Sequence, residues 1–130
     1  RCRDHRLRQS QTASAMNQRG FSESTQWAVF TPVVLLLVLG LVQLGVWLHA
    51  RTVAAEAAAT VADLQAAGLA GAVDAGQRIT AGAGLKAVHI ATVTEPTVVV
   101  VTVTGRAPLF FDVGQGMIQE RAVSPRERLR

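Results

Sequence analysis

A single cysteine in 130 residues excludes an internal disulfide framework and any cysteine-only metal site within one chain. Tyrosine is absent, and charged residues make up only 17% of a sequence that is 49% hydrophobic. The length allows one modest domain, or less if a membrane segment takes a share. Thirteen Lys+Arg face nine Asp+Glu, and this surplus is confined to the two ends. Residues 1–20 carry five Arg and one Asp, and residues 121–130 carry four Arg and one Glu. The hundred residues between hold four basic and seven acidic side chains, so the body is mildly acidic and a nucleic-acid partner is not indicated.

Charge is missing altogether between Glu23 and Arg51. Within that gap, Trp27 to Leu48 (WAVFTPVVLLLVLGLVQLGVWL) matches a hydrocarbon core of about 30 Å at roughly 1.5 Å per residue. Trp27 and Trp47 fall near its ends, where indole favours the headgroup region, and His49 and Arg51 close the outer edge. A core helix of this character needs a larger surrounding domain than the chain can build. Arg1, Arg3, Arg6, Arg8 and Arg19 precede the span, whereas Arg51 alone follows it closely. The positive-inside rule then puts the amino end in the cytoplasm and the last eighty or so residues outside the cell membrane. The competing account is a cleaved secretory signal with a cut near Ala55-Glu56-Ala57, releasing a small soluble interaction protein that begins near Ala58.

Proline is also absent from Val33 to Glu95. The Ala-rich stretch after Arg51 therefore extends the span as one helix of about 40 residues. Val53, Ala57, Val61, Leu64 and Gly68 draw one small-residue stripe, with Glu56, Thr60 and Asp63 opposite. The helix is expected to weaken where Gly68, Gly71, Gly76, Gly82 and Gly84 accumulate. The period then changes to two. Residues 88–94 and 97–104 are β-branched runs separated by Glu95-Pro96, predicting an antiparallel hairpin, with a weaker third strand over 117–123. The predicted fold is α+β, with the apolar face of a small antiparallel sheet packed on the Ala-rich helix. Four segments result: a basic cytoplasmic leader at 1–20, a transmembrane helix at 21–50, an Ala/Gly-rich helical stalk and hinge at 51–84, and a small β module with a basic tail at 85–130.

Few residues suggest chemistry. Cys2, Asp4 and His5 lie together, but His49 and His89 are remote in sequence, so no metal site is expected. His89 is placed in a strand as an exposed or edge residue, and Asp112 in a loop. Residues 81–85 (AGAGL) lack the Lys-Ser/Thr of a phosphate loop and are read as a hinge. No catalytic residues, cofactor or small-molecule substrate are indicated, and an enzyme is not expected. Gln43, inside the apolar run, is expected to seek a hydrogen-bond partner on another helix. Gly40 and Gly45 are five apart rather than four, which weakens a GxxxG reading. Pro32 is read either as a point of bending or as a tolerated proline near the helix start. Phe110-Phe111 reads first as core of the small module and second as an exposed contact patch.

The order of parts resembles the plan of type IV pilin-like proteins. Arg19-Gly20, then Ala28-Val29-Phe30-Thr31-Pro32 before a Val/Leu run, resembles TadE-like proteins of tight-adherence (Flp/Tad) pilus systems in their high-GC Gram-positive form. Further matches are Val46-Trp47-Leu48-His49-Ala50-Arg51, Val101-Thr102-Val103-Thr104-Gly105-Arg106-Ala107-Pro108, and Arg121-Ala122-Val123-Ser124-Pro125-Arg126-Glu127-Arg128. Twelve Arg against one Lys suits a GC-rich coding genome. The resemblance implies a bitopic minor pilin or pseudopilin that partners the membrane, other pilin-like or pilus assembly proteins, and a prepilin peptidase. A cut between Gly20 and Phe21 is implied. A start at Met16 would give the short basic leader Met-Asn-Gln-Arg-Gly and leave 1–15 untranslated. Pilins usually place Glu five residues after the cut, where this chain has Thr25; counted back from Thr31-Pro32, the same position is Gln26. Glu23 is the nearby acid, and its ordinary reading is a favourable charge in the first turn of the helix. An unprocessed single-span scaffold or regulator is the alternative that this departure supports. Glu23, Gln26, Gln43, Val53, Ala57, Val61 and Leu64 are the expected assembly contacts.

Overall fold

The computed structural model describes the backbone of residues 2–114 and 116–126, and the side chains of residues 23–114 and 116–126. Two helices, α1 (Cys2–Ala66) and α2 (Ala72–Gly82), precede three strands, β1 (Lys86–Thr94), β2 (Val98–Arg106) and β3 (Met117–Pro125). The chain divides into two compact units, Arg1–Leu41 and Val42–Arg130, and α1 contributes to both.

In the first unit, the helix continues through Pro32. A proline here removes the N–H that would reach the carbonyl of Ala28, yet the helix runs on into the Val/Leu run that begins at Val33. Trp27 and Phe30, one turn apart, meet edge to face at 6.3 Å between ring centroids. The apolar side chains here are turned outward: Val29, Val33, Leu35, Leu36 and Leu37 are all exposed. Among the described residues, one helix, 23–66, is long and apolar enough to cross a membrane, and no residue of its most apolar stretch is buried. Glu23 stands within α1 rather than in its first turn, because the helix begins at Cys2. The helix-start role expected of Glu23 is thereby corrected.

In the second unit, α1 runs on from Val42 to Ala66 and presents a face of small side chains. Ala50, Ala54, Ala58 and Ala62 are buried there at steps of four, with Val61 three residues after Ala58, all on one side of a 3.6-residue helix. The buried face is rotated relative to the expected stripe. Ala57 and Val61 belong to it, Val53 and Leu64 flank it half-buried, and Gly68 is exposed beyond its end. With alanine on nearly every side, composition alone does not fix which face is turned inward.

The glycines end α1 and permit a second helix. Gly68 (φ 71°) and Gly71 (φ 82°) take left-handed conformations in the α1–α2 turn, which a side chain disfavours. Gly76, expected to weaken the helix, lies inside α2 for a packing reason. A Cβ built there would come within 2.5 Å of Val61 Cγ2 and 2.9 Å of Ile90 Cδ1. α2 can lie against α1 and β1 because Gly76 has no side chain. Residues 83–85 form a tight turn: Gly84 is left-handed (φ 73°), and Leu85 N–H donates to the Thr80 carbonyl at 3.2 Å.

The sheet is an antiparallel meander in the order β1-β2-β3. All three predicted strands are present, each slightly longer than the segment predicted for it. A bulge between Lys86 and His89 carries Ala87 at φ 52°. The register places Ile90, Val103 and Glu120 in one cross-strand row, and Thr92, Val101 and Ala122 in the next on the same face. Val99, Val101 and Val103 on the central strand are fully buried and join the alanine face of α1 with Leu85, Ala107 and Ile118 in one core. Alanine against valine allows close approach of helix and sheet, the expected reason for pairing them. The other face of the sheet is open, with Val93, Val100 and Val123 aligned across it.

Candidate functional site

Three polar contacts tie the sheet side of the module to α1, in the same order along both. Near the apolar run, Gln43 Nε2 donates to the Phe111 carbonyl at 2.6 Å, and Phe111 N–H donates to Gln43 Oε1 at 3.3 Å. Two turns further on, Arg51 pairs with Glu120 at 2.6 Å. Another three turns on, Ser124 Oγ donates to Asp63 Oδ1 at 2.9 Å. Glu120 and Ser124 lie on the same face of β3 as Ala122, which packs against the core, so the strand runs alongside the helix with its polar residues at the seam. The Arg51 guanidinium also lies 5.7 Å from the centroid of the Trp47 ring.

The β2–β3 connection, residues 107–116, sits at the end of the sheet opposite the 95–97 turn. Its base is closed by Ala107 N–H donating to the Gly116 carbonyl at 2.9 Å. Asp112 organises its interior: Oδ1 accepts from the N–H groups of Gly114 (3.0 Å) and Gly116 (3.3 Å), and Oδ2 lies 3.7 Å from Arg106 Nη1. Gly114 is left-handed at φ 86°, and a Cβ on Gly116 would collide with the Asp112 carboxylate at 2.9 Å. The Asp-x-Gly-x-Gly wording therefore builds a tied loop, with Gln115 outside the described residues.

This loop overturns the first reading of Phe110-Phe111. Neither ring enters the core: Phe110 is 70% exposed, Phe111 60%, and the neighbouring Val113 80%. The core is closed by small alanines meeting valines, and Leu109 alone of this loop's large apolar side chains packs against it.

Gln43 has its amide partner on the β2–β3 loop of this chain. Ala57 and Val61 are completely buried within the module, so Val53 and Leu64 are the half-exposed members of the expected contact set. Glu23 and Gln26 are exposed on the other unit. Gly20 and Phe21 fall in α1, outside the residues whose side chains are described. A side chain at Gly40 or Gly45 would meet nothing within 4 Å. His89 is exposed on β1, its carbonyl accepting from Thr104 Oγ1 at 3.3 Å. Among the described residues, no three His, Cys, Asp or Glu side chains gather as a metal ion would require. The seam partners Arg51–Glu120 and Asp63–Ser124 went unread in the sequence, because each joins residues more than 60 apart and no local spacing signals them.

These features define an α+β protein in which an outward-facing apolar helix, long enough to cross a membrane, runs into the core helix of a small antiparallel module. The profile of the TadE-like protein family matches residues 24–63, the segment that carries both the apolar run and most of the buried alanine face. Neither a curated protein nor a solved structure matches the chain.

Proposed function

We propose that this chain is a bitopic TadE-like minor pilin or pseudopilin of a Flp/Tad pilus assembly or secretion system. Its amino end lies in the cytoplasm, and its sheet module lies outside the cell membrane. The observation that carries the reading is the coincidence of the family match at 24–63 with a helix that is bare and apolar at first and a module core afterwards. Arg-rich flanking sequence before the span supports the orientation. In this role Glu23 and Gln26 contact neighbouring subunits within the membrane, and Val53 and Leu64 contact neighbouring helices beyond it. The open face of the sheet, with its Val93-Val100-Val123 row, meets other envelope components.

A product released by signal peptidase is disfavoured on packing grounds. A cut after Ala57 would sever α1 inside the core, removing Ala50 and Ala54 and the seam partners Gln43 and Arg51. The unprocessed scaffold reading draws support from Thr25 and Gln26, neither of which supplies the carboxylate expected after the cut. Intact mass and amino-terminal sequencing of the protein purified from its native membranes separate the two. A chain beginning at Phe21, and an uncut chain in a Gly20→Arg variant, support the pilin reading. A wild-type chain that retains residues before Gly20 puts the scaffold first.

A further inference from the structure

The β2–β3 loop displays apolar rings at the membrane end of the module. Phe111 is bonded through both backbone groups to Gln43, and Gln43 lies five residues before Leu48, the last residue of the apolar run. Along a helix, that places the loop about 7 Å inside the end of the run. The neighbouring helix residues Val42, Leu44 and Leu48 are exposed and apolar, as are Phe110, Phe111 and Val113 on the loop. We propose that residues 110–113 form a membrane-inserting wedge: the lipid leaflet that covers the end of the span also covers this loop and holds the module against the bilayer surface. The proposal rests on the reading of α1 as a membrane span.

Four observations fit lipid as the occupant. The loop is bonded to Gln43, a residue inside the apolar run that the span reading already assigns to lipid, and both the loop and the run expose apolar side chains. The polar backbone of Phe111 is satisfied by the Gln43 amide, as a low-dielectric setting demands of a non-helical segment. The Asp112 charge is turned to the loop's own N–H groups and to Arg106. Finally, Trp47 and Arg51 stand one and two turns beyond Gln43, in the order expected for an indole at the headgroup level and a cation outside it.

The test uses the full chain with Cys2→Ser, reconstituted into palmitoyl-oleoyl phosphatidylcholine vesicles. A nitroxide is attached at Phe110→Cys or Val113→Cys, with Leu36→Cys as the control in the span and Thr94→Cys as the control at the far end of the sheet. Collision with molecular oxygen and with a water-soluble nickel chelate is measured at each position. The expected result is that 110 and 113 behave as Leu36 does, open to oxygen and closed to nickel, with the reverse preference at Thr94. If 110 and 113 follow Thr94 while Leu36 follows lipid, the span stands and the wedge falls. Protection from both reagents at 110 and 113 would show a protein cover, such as a second copy of the chain, and would equally overturn the wedge. Nickel access at Leu36 would remove the span reading and the wedge with it. Neither loop position is covered by the protein itself, so either label alone decides if the other disturbs the loop.

Discussion

The side-chain amide of Gln43 holds both backbone groups of Phe111, donating to its carbonyl at 2.6 Å and accepting from its N–H at 3.3 Å. One side chain on the helix thus replaces a missing stretch of sheet ladder for a residue in an irregular loop. The contact spans 68 residues of sequence and fixes where along α1 the loop sits. A glutamine in an apolar run is costly without a partner, and here its partner comes from the same chain.

Replacing Gln43 with leucine keeps the size of the side chain and removes both bonds. A typical hydrogen bond contributes about 0.5–1.5 kcal/mol net, so Gln43→Leu is expected to destabilise the module by about 1–2 kcal/mol. The change is local. Hydrogen exchange at the Phe111 amide should accelerate, while the opposite end of the sheet, where Arg126 N–H donates to the Thr97 carbonyl, keeps its protection. Uniform acceleration at both ends would mean that Gln43 supports the whole module rather than this loop.

Gly76→Ala sets two effects against each other. Alanine is favoured over glycine in a helix interior by about 1 kcal/mol. The new Cβ, however, would lie 2.5 Å from the Cγ2 of Val61, a fully buried β-branched side chain with little freedom to turn away. Overpacking of this kind costs about 1–3 kcal/mol. Since it must also displace Ile90, whose Cδ1 lies 2.9 Å away, the steric term is expected to win, lowering the stability of the module by about 1–2 kcal/mol. Thermal melts of the single and double variants check the cause. In a Val61→Ala background the Gly76→Ala penalty should shrink by about 1 kcal/mol or more, whereas an unchanged penalty would locate the strain elsewhere.

The same pair shows what the sequence disclosed and what it withheld. The first two strands were legible because β-branched runs of this length have few other solutions, and the bare span because no charge interrupts it. Helix–sheet packing was legible as a match of small to branched side chains. The phase of the buried stripe was not, since residues 54–59 offer alanine on several faces and only the positions of Val99, Val101 and Val103 select Ala54 and Ala58 over Val53. Gly76 reads as a helix breaker in sequence because the close approach that requires it involves Ile90, fourteen residues away on a strand. By residue type alone, Phe110 and Phe111 read as core. Their exposure follows from the Asp112-centred turn, a local motif visible in Asp112, Gly114 and Gly116, which ties the loop back and turns the rings outward.

Near the start of the apolar run the chain carries one acid, Glu23, and an uncharged amide, Gln26. Within a bilayer, a carboxylate facing the amino terminus of a neighbouring subunit is weakly screened, so an ion pair there acts over a longer range than at a wet surface. Gln26 can hydrogen-bond to an ammonium but cannot neutralise it. If the chain joins a filament, Gln26→Glu should raise its crosslinking to pilin subunits in the membrane, and Glu23→Gln should lower it. Both residues lie in the first unit and make no contribution to the sheet core, so the melting temperature of the module should stay unchanged in each variant. Crosslinking yields that do not respond to either substitution, with the module intact, would remove Glu23 and Gln26 from the contact set and favour a scaffold that stays outside the filament.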